Sequence, residues 1–488
     1  MKARQLQNLG YPKSLARLAK WTAAQAVAAG RSPQAVKDAL AVLPADPEGY
    51  REDEHFGELA RMMSQERRAA ANARKPSERA VRSEPVSCAQ WGEDLDPKAL
   101  EQMRNACLLP VAWRGALMPD AHLGYGLPVG GVLATRDAVI PYAVGVDIGC
   151  RMKLSVLDLP PKALQSQRDR LVGAIETETR FGMGASFSGR KGSGGRGGVA
   201  RGRLRDHPVM DEDWSVSPIT RQGRDKAHTQ LGTSGSGNHF VEFGEFTVAS
   251  DDAGALGLGG AGPWLALLSH SGSRGVGASV CDHYSRLAMQ MHPELPKTMR
   301  YLAWLDLDQH EGREYWEAMN LMGRYAAANH HCIHDAIARH LGAQIVCNVE
   351  NHHNFAWKQR HDDQDVIVHR KGATPADAGV MGIIPGSMAS PCYMVRGRGD
   401  ETSLRSASHG AGRVMSRRQA KLSYRWSHVR RLLEERGVEV LSAGIDENPH
   451  VYKDIDAVMA AQKDLVEVVA RFDPRLVKMA PEGEKAED

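Results

Sequence analysis

Apolar positions in the first 85 residues recur at helical spacing, with Leu15, Leu18, Ala19 and Ala26 on one face. Gly30 stops that helix, and Ser32-Pro33 supplies an N-cap residue followed by proline at the first helical position. A third helix is predicted over residues 54–74. Glu52, Asp53 and Glu54 stand at its start and Arg67, Arg68, Arg74 and Lys75 at its end, the order that the helix macrodipole favours. Residues 75–87 hold two prolines and no period, and read as a linker. From about residue 88 short β-branched runs, 132–140 and 345–349 among them, lie between glycine-rich turns and alternate irregularly with helical patterns over 314–341 and 454–471. The chain therefore reads as a helical N-terminal extension and linker over 1–85, followed by a mixed α/β (α+β) domain over 86–488, with β-sheets flanked by helices.

Composition narrows the class. Of 488 residues, 62 are Lys or Arg and 59 are Asp or Glu, a net charge of +3, with 25% charged and 42% hydrophobic. These proportions exclude wholesale disorder, collagen and a membrane bundle, and give no global signal for nucleic acid. The seven cysteines are scattered without a CxxC pair, which argues against a disulfide framework or zinc ribbon and for a reducing cytoplasm. The alanine-rich stretch 21–30 lacks a strongly apolar core, and 253–268 is broken by Gly and Pro, so neither export nor membrane insertion is expected. Charge is nonetheless concentrated locally. Residues 180–205 carry nine Gly and seven Lys or Arg, which reads as a loop, either a solvated linker or a flap contacting a polyanion.

The 49 glycines and 20 histidines acquire addresses in clusters. Asp147 to Cys150, Asn238-His239 with Glu242, the run from His270 to Gly275, and His352-His353-Asn354 all fall in turn-like surroundings, where side chains are presented at the edge of a scaffold. A lone Cys is usually a small buried hydrophobe, and a lone His usually structural. Jointly the clusters offer carboxylate, thiolate and imidazole, a set suited to Mn²⁺, Co²⁺ or Zn²⁺ rather than to Mg²⁺ or Ca²⁺. Spacing leaves the metal open. A further run, Ser406 to Arg413, sets His409 beside Gly410 and Gly412 ahead of a basic helix beginning near Val414, where freed backbone N–H groups favour phosphate. Pro385-Gly386-Ser387-Met388 follows the apolar run 380–384 as a strand-to-loop turn, and His369 to Gly372 adds positive charge.

MPDAHLGYGLPVGG (118–131), GVDIGC (145–150), LGTSGSGNHFVE (231–242), HSGSRG (270–275), HHN (352–354), HRKGAT (369–374), IPGSM (384–388) and SASHGAGRVMSR (406–417) resemble, in order, the successive motifs of the RtcB family of GTP- and manganese-dependent RNA ligases. The resemblance covers residues 90–480 and leaves the helical extension unmatched. It implies an enzyme that joins an RNA 3′-phosphate or 2′,3′-cyclic phosphate end to a 5′-hydroxyl end, in RNA repair or tRNA splicing, through a histidine-GMP intermediate and an activated 3′-ppG end. Asp147, Cys150 and His239 match the ligands of one Mn²⁺, and Cys150, His270 and His353 those of a second, with Cys150 bridging. His409 matches the guanylated nucleophile, and Asp120 stands as an accessory polar group near the metals. Asn238, Glu242, Asn354, Pro385 to Met388, Cys392, Gly410, Ala411, Gly412 and Lys478 match positions around the guanylate, with His353 also beside it.

The family further implies a cytoplasmic monomer, with an archease-like protein as a possible activator. A two-metal RNA end-processing phosphoesterase that does not ligate, and a non-catalytic RNA-binding paralogue, are the alternatives. This chain departs from the family pattern at three places. Arg151 stands where glycine is common, Cys392 replaces a small hydroxyl residue or alanine, and ten residues follow Lys478, normally almost terminal.

Overall fold

A computed structural model of the chain describes residues 3–73, 80–187 and 204–484. Most of the glycine- and arginine-rich loop, 188–203, lies outside the described residues. The chain divides into two compact units, residues 1–81 and 82–488.

The first unit is helical. Ala16–Ala28, Pro33–Val42 and Gly57–Ala73 bury Leu15, Ala19, Ala26, Val36, Leu40, Leu59 and Met63 in a core of their own. The Ser32 hydroxyl accepts the Ala35 N–H at 3.1 Å, with Pro33 opening the helix. The third helix starts later than its acidic run. Asp53 stays in the preceding turn, where its carboxylate accepts the N–H groups of His55 and Phe56 at 2.9 and 3.0 Å.

The second unit is built on two sheets. The larger runs Met381–Pro385, Cys392–Gly397, Val466–Met479, Phe240–Val248, Trp264–Ser271, Arg151–Leu157, Ile345–His352, antiparallel throughout that path, with Glu439–Ser442 added in parallel to Val466–Met479. The smaller runs Cys88–Gln90, Ala112–His122, Val129–Thr135, Gln364–Lys371, Asn354–His361. Long helix His310–His340 packs Ile333 and Ile337 onto Leu157, Leu265 and Leu267 of the larger sheet. Among the described residues no helix is long and apolar enough to cross a membrane.

The helix expected over 454–471 is corrected. Only Ile455–Ala460 is helical, and Val466–Met479 is a strand inside the larger sheet. Val466, Val469, Ala470 and Phe472 are buried there between two partner strands, and the fit of β-branched residues to a pleated surface outweighs a weak helical period. The basic helix expected near Val414 is Arg417–Ser423, started by a Ser416 capping box.

One consequence of this topology positions the site. Ile345–His352 is an edge of the larger sheet and Asn354–His361 an edge of the smaller, so the single residue His353 is the seam between them.

Candidate active site

Four elements converge at that seam. Gly149, at φ +72°, turns the chain so that Asp147 and Cys150 reach the same space. His239 stands just ahead of strand Phe240–Val248, and His270 lies near the end of Trp264–Ser271. Cys150 Sγ is 3.2 Å from His270 Nε2 and 3.6 Å from His239 Nε2, while His353 Nε2 is 3.2 Å from His270 Nε2. Asp147 Oδ2 is 3.2 Å from His239 Nε2, and its Oδ1 accepts the Ser273 N–H at 2.9 Å. The glycine of HSGSRG has a steric reason here, because a Cβ on Gly272 would lie 2.0 Å from Asp147 Oδ2.

Ring orientation decides what these atoms can do. His239 Nδ1 faces the Ser234 carbonyl at 3.0 Å and His270 Nδ1 the Asn238 carbonyl at 3.1 Å. Carbonyls only accept, so both Nδ1 atoms carry a proton and each ring turns Nε2 toward the cluster as its candidate ligand atom. Burial, reinforced by neighbouring His239, pushes His270 down to about 3, and burial drives His353 well below its ordinary range. Burial alone would raise Asp147, but its polar and charged neighbours, Arg274 among them, hold its carboxyl below the usual carboxylate range. Sulfur, nitrogen and oxygen donor atoms thus converge on one space, where a cation would take the place of the protons shared between them. His353 Nδ1 is also buried without a hydrogen bond among the described residues. The buried group of Cys150, His239 and His270 could hold a metal ion, and its donors suit a borderline divalent one.

His409 sits beside this cluster, its ring centroid 5.2 Å from that of His353. Its Nδ1 donates to Asp120 Oδ2 at 2.6 Å, and the same oxygen accepts the N–H groups of His409 and Gly410 at 3.0 and 3.3 Å. Strand Ala112–His122 loses its register between Leu117 and His122, and that irregularity aims Asp120 inward. Lys453 Nζ donates to the carbonyls of Pro119 and Ala121 on either side. Burial would raise the Asp120 carboxyl, yet the His409 charge and hydrogen bonds hold it below the usual range. Asp120 is thus the orienting carboxylate of His409 rather than a member of the Cys/His cluster.

A small pocket of about 40 Å³ adjoins the cluster. Asn238, Glu242, Cys392 and the whole turn Pro385 to Met388 line it. Burial raises Glu242 well above the ordinary carboxyl range. Asn354 is near but has a bracing role, its Oδ1 accepting the Gly372 N–H at 2.8 Å and its Nδ2 donating to the Asp147 carbonyl. Gly410, Ala411 and Gly412 form the turn after His409 and do not line the pocket. Lys478 is not brought there. It stands opposite Val241 on the other face of the sheet, bonded to Glu176 with its ammonium 5.4 Å from the Phe181 ring centroid, while Val477 and Met479 line the pocket. Arg151 pairs with Glu350 at 3.0 Å.

Sequence reasoning passed over Phe240, Glu447 and Tyr452 in the pocket wall, and Asn329 beneath the cluster. Phe240 had a signal, since Asn238, Phe240 and Glu242 share one face at period two. Glu447 and Tyr452 lie in an aperiodic stretch and had none. The Asn329 amide accepts the N–H groups of Gly232 and Thr233 at 2.7 and 3.2 Å, and donates to the Thr233 carbonyl and Ser271 Oγ at 3.0 Å, tying the loop before His239 to the strand end carrying His270.

Residues 102–479 match the family described as tRNA-splicing ligase RtcB. The RNA-splicing ligase RtcB of Escherichia coli K12 is 34% identical over 412 residues, which cover 79% of this chain and 95% of that protein. The RNA-splicing ligase RtcB of Mycobacterium tuberculosis is 32% identical, covering 76% and 98%, and the tRNA-splicing ligase RtcB of Thermococcus kodakarensis is 29% identical, covering 77% and 90%. By its motifs, its fold and these matches, the chain belongs to the RtcB family of RNA-splicing ligases.

Proposed function

We propose that this chain joins RNA 3′-phosphate or 2′,3′-cyclic phosphate ends to 5′-hydroxyl ends, using GTP and two manganese ions, with His409 as the guanylated residue. The observation that carries the reading is the Asp120–His409 pair set between a Cys/His cluster and a pocket. With Nδ1 held by Asp120, His409 keeps Nε2 as its attacking nitrogen. Attack on the α-phosphorus of GTP forms a P–N bond and releases pyrophosphate, and the Asp120 carboxylate stabilises the positive charge that develops on the ring. The guanylate then passes to an oxygen of the RNA 3′-phosphate, breaking the P–N bond, and the 5′-hydroxyl displaces GMP to seal the strand. A cyclic phosphate is opened by water beforehand.

Asp147, Cys150 and His239 would hold one Mn²⁺, and Cys150, His270 and His353 the other, in keeping with the converging donor atoms described above. Bound there, manganese supplies charge neutralisation at phosphate oxygens. Glu242, Ser387 and Cys392 surround the place for the guanine, and the turn 410–412 offers backbone N–H groups to phosphate. The same reading includes a cytoplasmic monomer and an archease-like activator.

Incubation with α-labelled GTP and Mn²⁺ tests it. Label retained on the denatured wild-type chain and absent from His409→Ala is the expected result. No label on wild type, or label persisting in His409→Ala, overturns it, and RNA end hydrolysis without label points instead to the phosphoesterase.

A further inference from the structure

The turn that follows Asp120 carries an exposed aromatic surface that the ligation chemistry above does not use. Tyr125 is 61% exposed and Tyr301 41%, and with half-buried Tyr142 they form a cluster whose ring centroids are 4.9, 5.8 and 6.5 Å apart. Leu123, 50% exposed, belongs to the same turn. Clustered aromatic rings partly exposed at a surface mark a candidate interaction site.

The cluster is rigidly built. Gln102 brackets the turn, donating to the Gly124 carbonyl at 2.6 Å and accepting the Gly124 N–H at 3.0 Å. Gly126, at φ +70°, lies so close to the neighbouring segment that a Cβ there would be 2.7 Å from the Tyr301 carbonyl oxygen, so the backbones of the Tyr125 turn and of Tyr301 are pressed together. Buried Lys371 donates its ammonium to the Tyr125 carbonyl at 2.5 Å.

Its position is set relative to His409. Three residues before Tyr125, the His122 ring lies nearly parallel to that of His409 with centroids 6.4 Å apart, and its Nδ1 donates to the Asp120 carbonyl. One residue beyond Lys371, Gly372 is packed so that a Cβ on it would lie 3.1 Å from His409 Cε1. Two short chain segments, each packed against His409 at one end, thus lead from it to the cluster. Around Tyr301, Lys297 and Arg300 are exposed on the short helix Lys297–Leu302.

We propose that Tyr125, Tyr142 and Tyr301 form a stacking platform for an unpaired nucleobase of the RNA strand end presented to His409, with Lys297 and Arg300 facing its phosphates. The inference rests on the proposed RNA-end reading and adds a subsite to it. Aromatic rings stack on any base, so the platform accepts ends without regard to sequence, and adjacent cations follow the backbone rather than reading it. Such a surface suits an enzyme whose chemistry is confined to the terminal phosphate and hydroxyl.

The test uses the full chain and short single-stranded RNAs carrying 2-aminopurine as terminal base, one with a 3′-phosphate and one with a 5′-hydroxyl. Binding to wild type should quench 2-aminopurine in at least one RNA, and which one identifies the strand seated on the platform. In Tyr125→Ala/Tyr301→Ala the quench is lost and the dissociation constant of that RNA rises by about tenfold, the scale of one stacked base. Tyr125→Phe/Tyr301→Phe, which keeps the rings, should restore both. An RNA with an abasic terminal residue should bind wild type as weakly as the double alanine variant binds the intact one. Guanylylation of His409 from GTP, which needs no RNA, should be unchanged in both variants, so that loss of folding is separated from loss of stacking. Absence of quench in both RNAs, or an affinity within twofold of wild type in the double alanine variant, overturns the platform. Because binding and quenching are read without GTP, they stand or fall apart from the guanylylation assay.

Discussion

Asp120 and Glu242 are both buried carboxyls of one site, and their surroundings push them in opposite directions. At the Asp120 end, two backbone N–H groups and an imidazole meet one oxygen, and together they overcome the burial that would otherwise protonate it. At the Glu242 end, burial is the whole cause and pushes the carboxyl well above its ordinary range. The difference teaches what each end is for. One is prepared to stabilise a cation on His409, and the other favours the protonated form, in which a carboxyl can both donate and accept hydrogen bonds.

The strongest way to break this comparison is to neutralise the ionised end. Asp120→Asn keeps an acceptor for the His409 and Gly410 N–H groups and removes the charge. Guanylylation in a single turnover should fall by about 10²–10³-fold, the scale of losing one preorganised electrostatic partner, with GTP affinity little changed. A loss below tenfold would show that the carboxylate only orients the ring. The charge itself is safe across neutral pH, because a carboxyl held below its ordinary value gives up its contribution only as acid approaches that lower value.

The next test sharpens the contrast by leaving both carboxyls intact and loosening the cluster between them. Asn329→Leu removes the amide that joins Gly232, Thr233 and Ser271. Mn²⁺ affinity, measured by calorimetry, should weaken by about 10–100-fold, as for other groups that orient ligands. Unchanged affinity with a lowered melting temperature would reduce Asn329 to a packing residue.

How far this site was legible in the sequence follows from how each part is made. Asp147, Cys150, His239 and His270 lie in compact glycine-bearing motifs, because tight turns and close approaches such as that at Gly272 leave a mark in the chain. Pro385 to Met388 was legible for the same reason. The pairing of Asp120 with His409 was not, since it spans 289 positions and depends on a register break that no local pattern announces. Lys478 stands one strand position from Val477 and Met479 of the pocket wall, which at period two is the opposite face of the sheet. The run after Ile455 read as a helix because its apolar residues satisfy both periods, and only its two partner strands decide between them. His353 as the seam of two sheets follows from topology alone.

Glu242→Gln tests the neutral end. Since the folded-state carboxyl is raised, its proton is retained on folding, and the wild-type chain loses stability as pH climbs from the ordinary carboxyl value through the raised one. The glutamine variant has no proton to retain. Urea midpoints measured between about pH 5 and 8 should therefore fall less steeply with rising pH in Glu242→Gln than in wild type, and GTP affinity should change by about tenfold or less, as for one altered polar contact. Parallel pH profiles would mean that Glu242 is ionised and that the two ends are alike.

The smallest effect belongs to Cys392, and it decides what raises Glu242. The thiol lies in the same pocket, and its own ionisation is pushed up first by burial and then by the charge of Glu242. If the two groups held one another neutral by mutual repulsion, Cys392→Ser, with its far less acidic hydroxyl, would flatten the pH profile as Glu242→Gln does. Burial is the only cause acting on Glu242, so the serine variant should keep the wild-type profile, and GTP affinity should shift by less than about threefold, a fraction of a neutral hydrogen bond. A flattened profile in Cys392→Ser would move the origin of the contrast from the desolvated wall of the pocket to a single neighbouring sulfur.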